Sequence, residues 1–558
     1  MLRVPVISRV SLLVATAVAL PALAACLEHP LKQVEYEKTS VDDDNIALTV
    51  NKDVDILFVV DNSGSMAEEQ ATLAANFPSF VGVLEEENVK ANYRIGVTTT
   101  DNGNPWCSGG QGGALRLSSC RQRIQEFIYA PGTALEVDAQ DEACNNVCPH
   151  DTIDILPSTT EEDAAASPRP WIESIEGATN IGGGITPAEA FQCVGPQGIN
   201  GCGFESHLES MFKALRRMET SSENQFGFLR RNAILAVVHV TDEADCSYNN
   251  EHSTIFAADG ERAFWSDPAA SQPTSAVCWN AGVSCTGGPG VYTDCTSENY
   301  DASGAAGASD ADAVLHPVSR YTTLLQEKEN DKQSRNPSQE VLVGVIAGVP
   351  PGYARGEAEI TYQDSQADAQ FQSDYGIGPG CESSAGKAIA PVRLKEFAEF
   401  FEVDGAPNLF SICNDNYAEA LRAIADTIAD QVKPACFPRC VADTDPATSE
   451  LDPLCTVTEE VPNDNGFTQI DIPPCDVDTG ADTWDFPGGD EEACYRLLVD
   501  QGNPGGNGVD DMSQACVDEG WNLEFAIERK PGTRAVGGSS VKATCKLSEN
   551  RDIDCPNL

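Results

Sequence analysis

Three stretches of this chain are apolar on nearly every residue rather than on every second one. Residues 56–60 read ILFVV, residues 233–240 read AILAVVHV, and residues 340–349 read EVLVGVIAGV. A strand with one wet face alternates; a strand without alternation must be covered on both faces. Helical spacing separates these runs. Met66, Leu73, Phe77, Phe80, Val81 and Leu84 recur on one face of 67–86, with Pro78 expected to kink or interrupt that helix. Residues 206–218, 320–329 and 391–402 are further helices, and Tyr417, Leu421, Ile424, Ile428 and Val432 mark a last one. With shorter strands at 94–101 and 408–413, the expectation is an α/β domain: a mostly parallel sheet with helices on both faces.

In such a sheet ligands gather at the carboxyl ends of the strands. Here the first apolar run ends in DNSGSM, which sets Asp61, Ser63 and Ser65 at alternate positions, and the run at 233–240 ends in Thr241-Asp242-Glu243. Two carboxylates and two hydroxyls form an all-oxygen donor set suited to a hard cation, Mg²⁺, Ca²⁺ or Mn²⁺, with a coordination position left open. The competing reading is that Asp61, Ser63 and Ser65 only cap the following helix.

These residues carry a resemblance. DNSGSM after an apolar strand resembles the Asp-x-Ser-x-Ser motif of von Willebrand factor type A domains, and VVHVTDE resembles that family's later strand ending in the second metal-site aspartate. The resemblance covers roughly residues 51–433. It implies a Rossmann-type α/β sandwich and a metal-ion-dependent adhesion site built from Asp61, Ser63, Ser65 and Asp242. It further implies binding of a protein or other acidic-group ligand through the ion, without enzymatic activity. The chain departs from the family at one ligand. The loop GINGCGFESHLE has Cys202 or Gly203 where the family has a metal-contacting threonine, so Thr179 or Glu205 becomes the candidate replacement. Cys202 itself is expected in a disulfide, with Cys193 as a candidate partner.

The N-terminus reads as an export signal: Arg3 and Arg9, then an apolar run. Its end, Leu23-Ala24-Ala25-Cys26, resembles the bacterial lipobox. That resemblance implies removal of residues 1–25, lipidation of Cys26, a tether over 26–50 and, with Leu27 next, sorting to the outer membrane. Beyond Cys26 lie 20 cysteines, 12 between Cys107 and Cys413 and eight between Cys436 and Cys555. Even counts in an exported chain predict disulfides closed within each region. Residues 102–200 and 246–312 are Gly-, Asp- and Cys-rich insertions, and 434–558 is a small Cys-rich domain with a β-hairpin expected from the alternation at 521–547.

The 87 acidic residues against 35 basic ones, net −52, make nucleic acid a poor partner. No HExxH pair suggests a zinc hydrolase. CESSAGKA (381–388) lacks the residues of a phosphate loop. CNNVC (144–148) and CFPRC (436–440) read as disulfide cysteines, and DVDTGADTWD (476–485) fails the EF-hand pattern. His239, inside a strand, reads as a core residue. The rival to adhesion is a structural envelope scaffold with an inactive metal site.

Overall fold

The computed structural model describes residues 45–555, apart from 51, 87–88, 108, 131–136, 335–338, 385, 433–434, 446, 448–450, 464–465, 489–490, 500–507 and 531–539. The export signal, Cys26 and residues 26–44 of the expected tether lie outside the described residues.

In chain order the elements used below are strands β1 (Asn45–Val50) and β2 (Asp53–Val60), helix α1 (Ala67–Leu84), and β3 (Asn92–Thr99). Then come β4 (Ile172–Ile175), β5 (Ala178–Thr179), α2 (Pro187–Val194), α3 (His207–Met218) and β6 (Ile234–Val240). Next are α4 (Val318–Gln333), β7 (Val341–Ala347), α5 (Val392–Glu399), β8 (Leu409–Ser411) and α6 (Ala418–Gln431). The seven-stranded sheet runs β8-β7-β6-β2-β3-β4-β5. Its first five strands are mutually parallel, and β4 and β5 add antiparallel pairs at one edge.

Side-chain alternation along β2 divides the core. Ile56, Phe58 and Val60 pack with Leu73, Phe77 and Phe80 of α1, Phe191 of α2 and Leu421 and Ile424 of α6. Leu57 and Val59 face the other way, toward Leu208 and Met211 of α3, Leu325 of α4 and Phe397 of α5. Both faces are therefore covered, which is what the unbroken apolar strands require. His239 is fully buried with its ring edge-on to Phe397, a core residue as expected.

Four expectations need correction. Pro78 does not interrupt α1, which runs through it from Ala67 to Leu84. Proline removes a single ladder bond there, and the packed face on either side of it, Phe77 and Phe80 against Phe58 and Phe191, outweighs that loss. The insertion at 102–200 is not all surface, since β4 and β5 extend the central sheet and α2 opens with a Thr186–Glu189 capping box. Residues 45–50 are not tether: β1 pairs antiparallel with β14 (Ser540–Lys546).

The fourth correction concerns the expected hairpin. The Cys-rich domain also contains β9 (Ala435–Cys436), β10 (Cys455–Asn463), β11 (Gly466–Ile472), β12 (Ala493–Leu498) and β13 (Glu524–Arg529). These form two sheets, β1-β14-β10-β11 and β9-β13-β12. The segments expected to pair with each other, β13 and β14, lie in different sheets. Alternation tells which face a strand buries, not which strand it pairs with.

The 20 cysteines after Cys26 pair completely, and each region closes its own bridges. Six disulfides lie between Cys107 and Cys413 and four between Cys436 and Cys555. Disulfides at this density belong to an oxidising compartment outside the cytoplasm. Among the described residues no helix is long and apolar enough to cross a membrane.

Candidate metal centre

Four parallel strands, β3, β2, β6 and β7, are bonded to one another at their carboxyl ends. The Asp61 amide donates to the Val240 carbonyl at 2.9 Å, the Thr100 amide to Val60 at 3.3 Å and the Thr241 amide to Ile346 at 3.1 Å. Past these bonds the chain leaves β2 in a tight loop. Asp61 Oδ1 accepts the Ser63 amide at 2.8 Å, and α1 begins only at Ala67, with no side chain capping it. The serines are therefore free of the helix-capping duty that the competing reading gave them. Ser63 Oγ lies 3.1 Å from Ser65 Oγ, and Ser65 Oγ donates to Asp242 Oδ1 at 3.2 Å. All four motif residues meet.

The 102–200 insertion holds the loop in place. Gln70 of α1 donates to the Asp61 and Gly198 carbonyls at 2.7 and 2.6 Å and accepts the Gln197 amide at 2.7 Å. Gly64 has no side chain because the Tyr129 ring covers it: a Cβ there would sit 2.8 Å from that ring. Asp61, Ser63 and Asp242 are buried, while Ser65 is exposed, so solvent reaches the cluster at Ser65.

The electrostatics are one-sided. Burial raises the Asp242 carboxyl well above its usual range, and Asp61, Glu243 and Glu69 add to the shift. Glu69 and Glu243 are both pushed up to about 7, by burial first and by neighbouring carboxylates including Asp61. Glu205 is raised well above the ordinary value by burial, then by Glu243 and Asp61. It is fully buried, and its side-chain neighbour is a second carboxyl, Glu243, rather than a cation. An ionised group so placed costs several kcal/mol unless a cation or a proton compensates it.

The cluster holds one positive partner that sequence reading missed. His207, the first residue of α3, is fully buried, with Nε2 2.7 Å from Thr241 Oγ and 3.7 Å from Asp61 Oδ2. Its Nδ1 lies 3.6 Å from Asp245 Oδ1. Burial pulls the imidazole down, but Asp245 and Asp61 outweigh it and raise the group to about 9. Asp245 is held in turn by Arg393 Nε at 3.0 Å. Burial alone would raise Asp245; His207 and Arg393 hold it well below the usual carboxylate range. Only the run TDEAD after β6 hinted at this network, since His207 and Arg393 come from other segments.

Two of the expected assignments separate from the site. Thr179 sits on β5, the far edge strand, three strand spacings (about 14 Å) from β2, and its Oγ1 accepts the Ile181 amide. The sheet extension at β4–β5 carries it away from the loop before α3. Cys202 pairs with Cys107 and Cys193 with Cys148, so the candidate Cys193–Cys202 bridge does not form. The Cys107 bridge ties the loop before α3 to the loop after β3, while Cys193 lies inside α2 and faces the CNNVC segment. Cys436 and Cys440 pair with Cys516 and Cys555. DVDTGADTWD folds as a hairpin in which Asp478 accepts the Ala481 amide.

The donor set fits a hard divalent cation: two carboxylates and two hydroxyls converge, and the buried carboxyls of Glu205 and Glu243 stand beside them without a salt-bridging cation among the described residues. Among the described residues no three His, Cys, Asp or Glu side chains close on a single point, so Glu205 does not complete a carboxylate triad with Asp61 and Asp242. No protein-family model and no curated protein matches this chain. Solved structures aligned with it include the pilus adhesin SpaC from Lactobacillus rhamnosus GG in its open conformation, at 9% identity and a TM-score of 0.27, over 90% of this chain and 41% of that one. The pilus adhesin RrgA from Streptococcus pneumoniae aligns at 9% identity and a TM-score of 0.24, over 92% of this chain and 60% of that one. The chain thus spans about two-fifths to three-fifths of these proteins' lengths, and at such scores the likeness carries no weight for fold or function.

Proposed function

We propose that this chain is an extracytoplasmic binding protein of von Willebrand factor type A character, lipidated at Cys26 and held on the outer membrane. It captures an acidic group of a protein partner at a divalent cation. Asp61, Ser63, Ser65 and Asp242 hold the ion, which supplies a vacant position that a partner's carboxylate fills. The observation that carries this reading is the 3.2 Å bond from Ser65 Oγ to Asp242 Oδ1, between residues 177 positions apart in sequence. Helix capping does not require it; a shared ligand does.

The test is thermal unfolding with Mg²⁺ or Mn²⁺. Wild type gains stability by RT ln(1 + [L]/Kd), about 2.7 kcal/mol at a hundredfold excess over Kd. Asp61→Ala keeps the fold and loses that gain. Equal shifts in both proteins defeat the reading. An inert, disulfide-braced scaffold is the second reading, and one observation favours it: the His207 imidazolium already offsets part of the Asp61 charge without any ion. In that case neither protein responds to metal.

A further inference from the structure

The Thr241 hydroxyl has three polar neighbours: Asp61 Oδ2 at 2.6 Å, His207 Nε2 at 2.7 Å and the Glu243 amide at 3.0 Å. A hydroxyl owns one proton and two lone pairs. The Glu243 amide can only donate, so it takes one lone pair. The Asp61 carboxylate accepts, so it takes the proton. The remaining lone pair faces His207, whose Nε2 must therefore carry a hydrogen. Counting protons in this way places a hydrogen on Nε2 of a ring whose hydrogens are not seen directly, whether that ring is the imidazolium or the neutral Nε2–H form.

We infer that His207 is a positioning residue of the metal centre: its Nε2–H, donated to Thr241, directs the Thr241 proton onto Asp61 and so fixes the Asp61 carboxylate for its ligand. Both Asp61 oxygens are then engaged, Oδ1 by the Ser63 amide and Oδ2 by Thr241, and the carboxylate cannot rotate. His207 cannot swing away either. Its Nδ1 faces Asp245, which is itself fixed by Arg393, by the Leu208 amide at 3.1 Å and by Ser247 Oγ at 2.6 Å. His207 touches no solvent and acts through Thr241 rather than as a ligand. The family motif contains no such histidine in the residues that carry the resemblance. The inference rests on reading the Asp61 cluster as a cation site, and outer groups that orient ligands are worth roughly 10–100-fold in metal affinity.

The experiment uses the full chain and Mn²⁺ alone, with Kd measured by calorimetry and by the loss of the free-ion paramagnetic resonance signal. His207→Phe and Thr241→Val each weaken Mn²⁺ binding by roughly 10–100-fold. His207→Gln, whose amide can still donate to Thr241, recovers most of that loss. Unchanged Mn²⁺ affinity in a folded His207→Phe protein overturns the inference, as does an equal loss in the Gln and Phe variants. A readout without metal separates this inference from its premise. In the metal-free wild type, nitrogen-15 NMR shows a His207 Nε2–H protected from solvent exchange, and Thr241→Val abolishes the protection. If wild type binds no Mn²⁺, the cation reading fails, and the NMR signal still decides whether the His207–Thr241–Asp61 relay exists. Absence of that proton in wild type overturns the relay.

Discussion

The two ends of the central sheet bury charge in opposite ways. At the N-terminal ends of the strands the most deeply buried charges are paired with their opposites. Arg94 of β3 bonds Glu173 of β4 at 2.8 Å, and Arg230 bonds Asp55 and Asp53 of β2 at 2.8 and 3.0 Å while also donating to the Val54 and Asn92 carbonyls. At the C-terminal ends, one strand length away, burial and then the neighbouring carboxylates, Asp61 among them, raise the proton affinity of Glu69, Glu205, Asp242 and Glu243, with His207 the cation set among them. The same fold that satisfies charge at its base leaves it unsatisfied at its crown. Residues that break the local rules of a well-made core mark where function has overridden stability.

The largest effect expected from this contrast lies at the base. Arg230→Ala leaves Asp55 buried without its partner and costs about 3–5 kcal/mol in denaturant unfolding, identically with and without Mg²⁺. A cost below about 1 kcal/mol would dissolve the distinction between the two ends. The crown should answer to pH. Glu69 and Glu243 have folded values raised from 4.5 to about 7, so their contribution is fully present below about pH 4.5 and is lost as pH rises through 7. His207, raised from 6.5 to about 9, extends the decline toward pH 9. Without metal, stability should fall by on the order of 3 kcal/mol from pH 4.5 to pH 8, read as unfolding midpoints, and a saturating divalent ion should flatten the slope. A metal-free protein that grows more stable over that range contradicts the picture.

A smaller gain is expected from Glu205→Gln. Removing one buried charge should stabilise the metal-free protein at pH 8 by on the order of 1 kcal/mol and leave it unchanged at pH 4.5. The smallest effect belongs to Thr179→Val, within about 0.5 kcal/mol and without influence on any metal-induced shift. A metal shift lost in that variant would place a ligand on the edge strand after all.

The contrast also explains what could be read in the sequence. Three of the five parallel strands were legible because burial on both faces leaves no alternation, and the ends of all five fell within one or two residues of expectation. Asp61, Ser63, Ser65 and Asp242 were legible for a related reason: each stands where an apolar run stops. Thr241, His207, Asp245 and Arg393 were not, because a relay assembled from three separate segments leaves no spacing signal. Arg393 looks in sequence like any first-turn helix residue, yet it is buried against Asp245. Cysteine parity told which regions close upon themselves but not the partners, which depend on where α2 and the loop before α3 come to rest. The partner of β1 was the least accessible, since Ile46 pairs with Cys545 at the other extreme of the chain.

That last pairing has a mechanical consequence. β1 lies along β14 in the sheet closed by the Cys455–Cys545 bridge, and the chain then passes through Lys52 into β2 and reaches Asp61 after about 26 Å of strand. A load applied at Asp61 and resisted at residue 45 therefore runs along β2, which is bonded to β3 on one side and β6 on the other, and along the β1–β14 ladder. Tension between those two points is thus carried by the covalent backbone of one short segment, and the ladders on either side hold that segment in register.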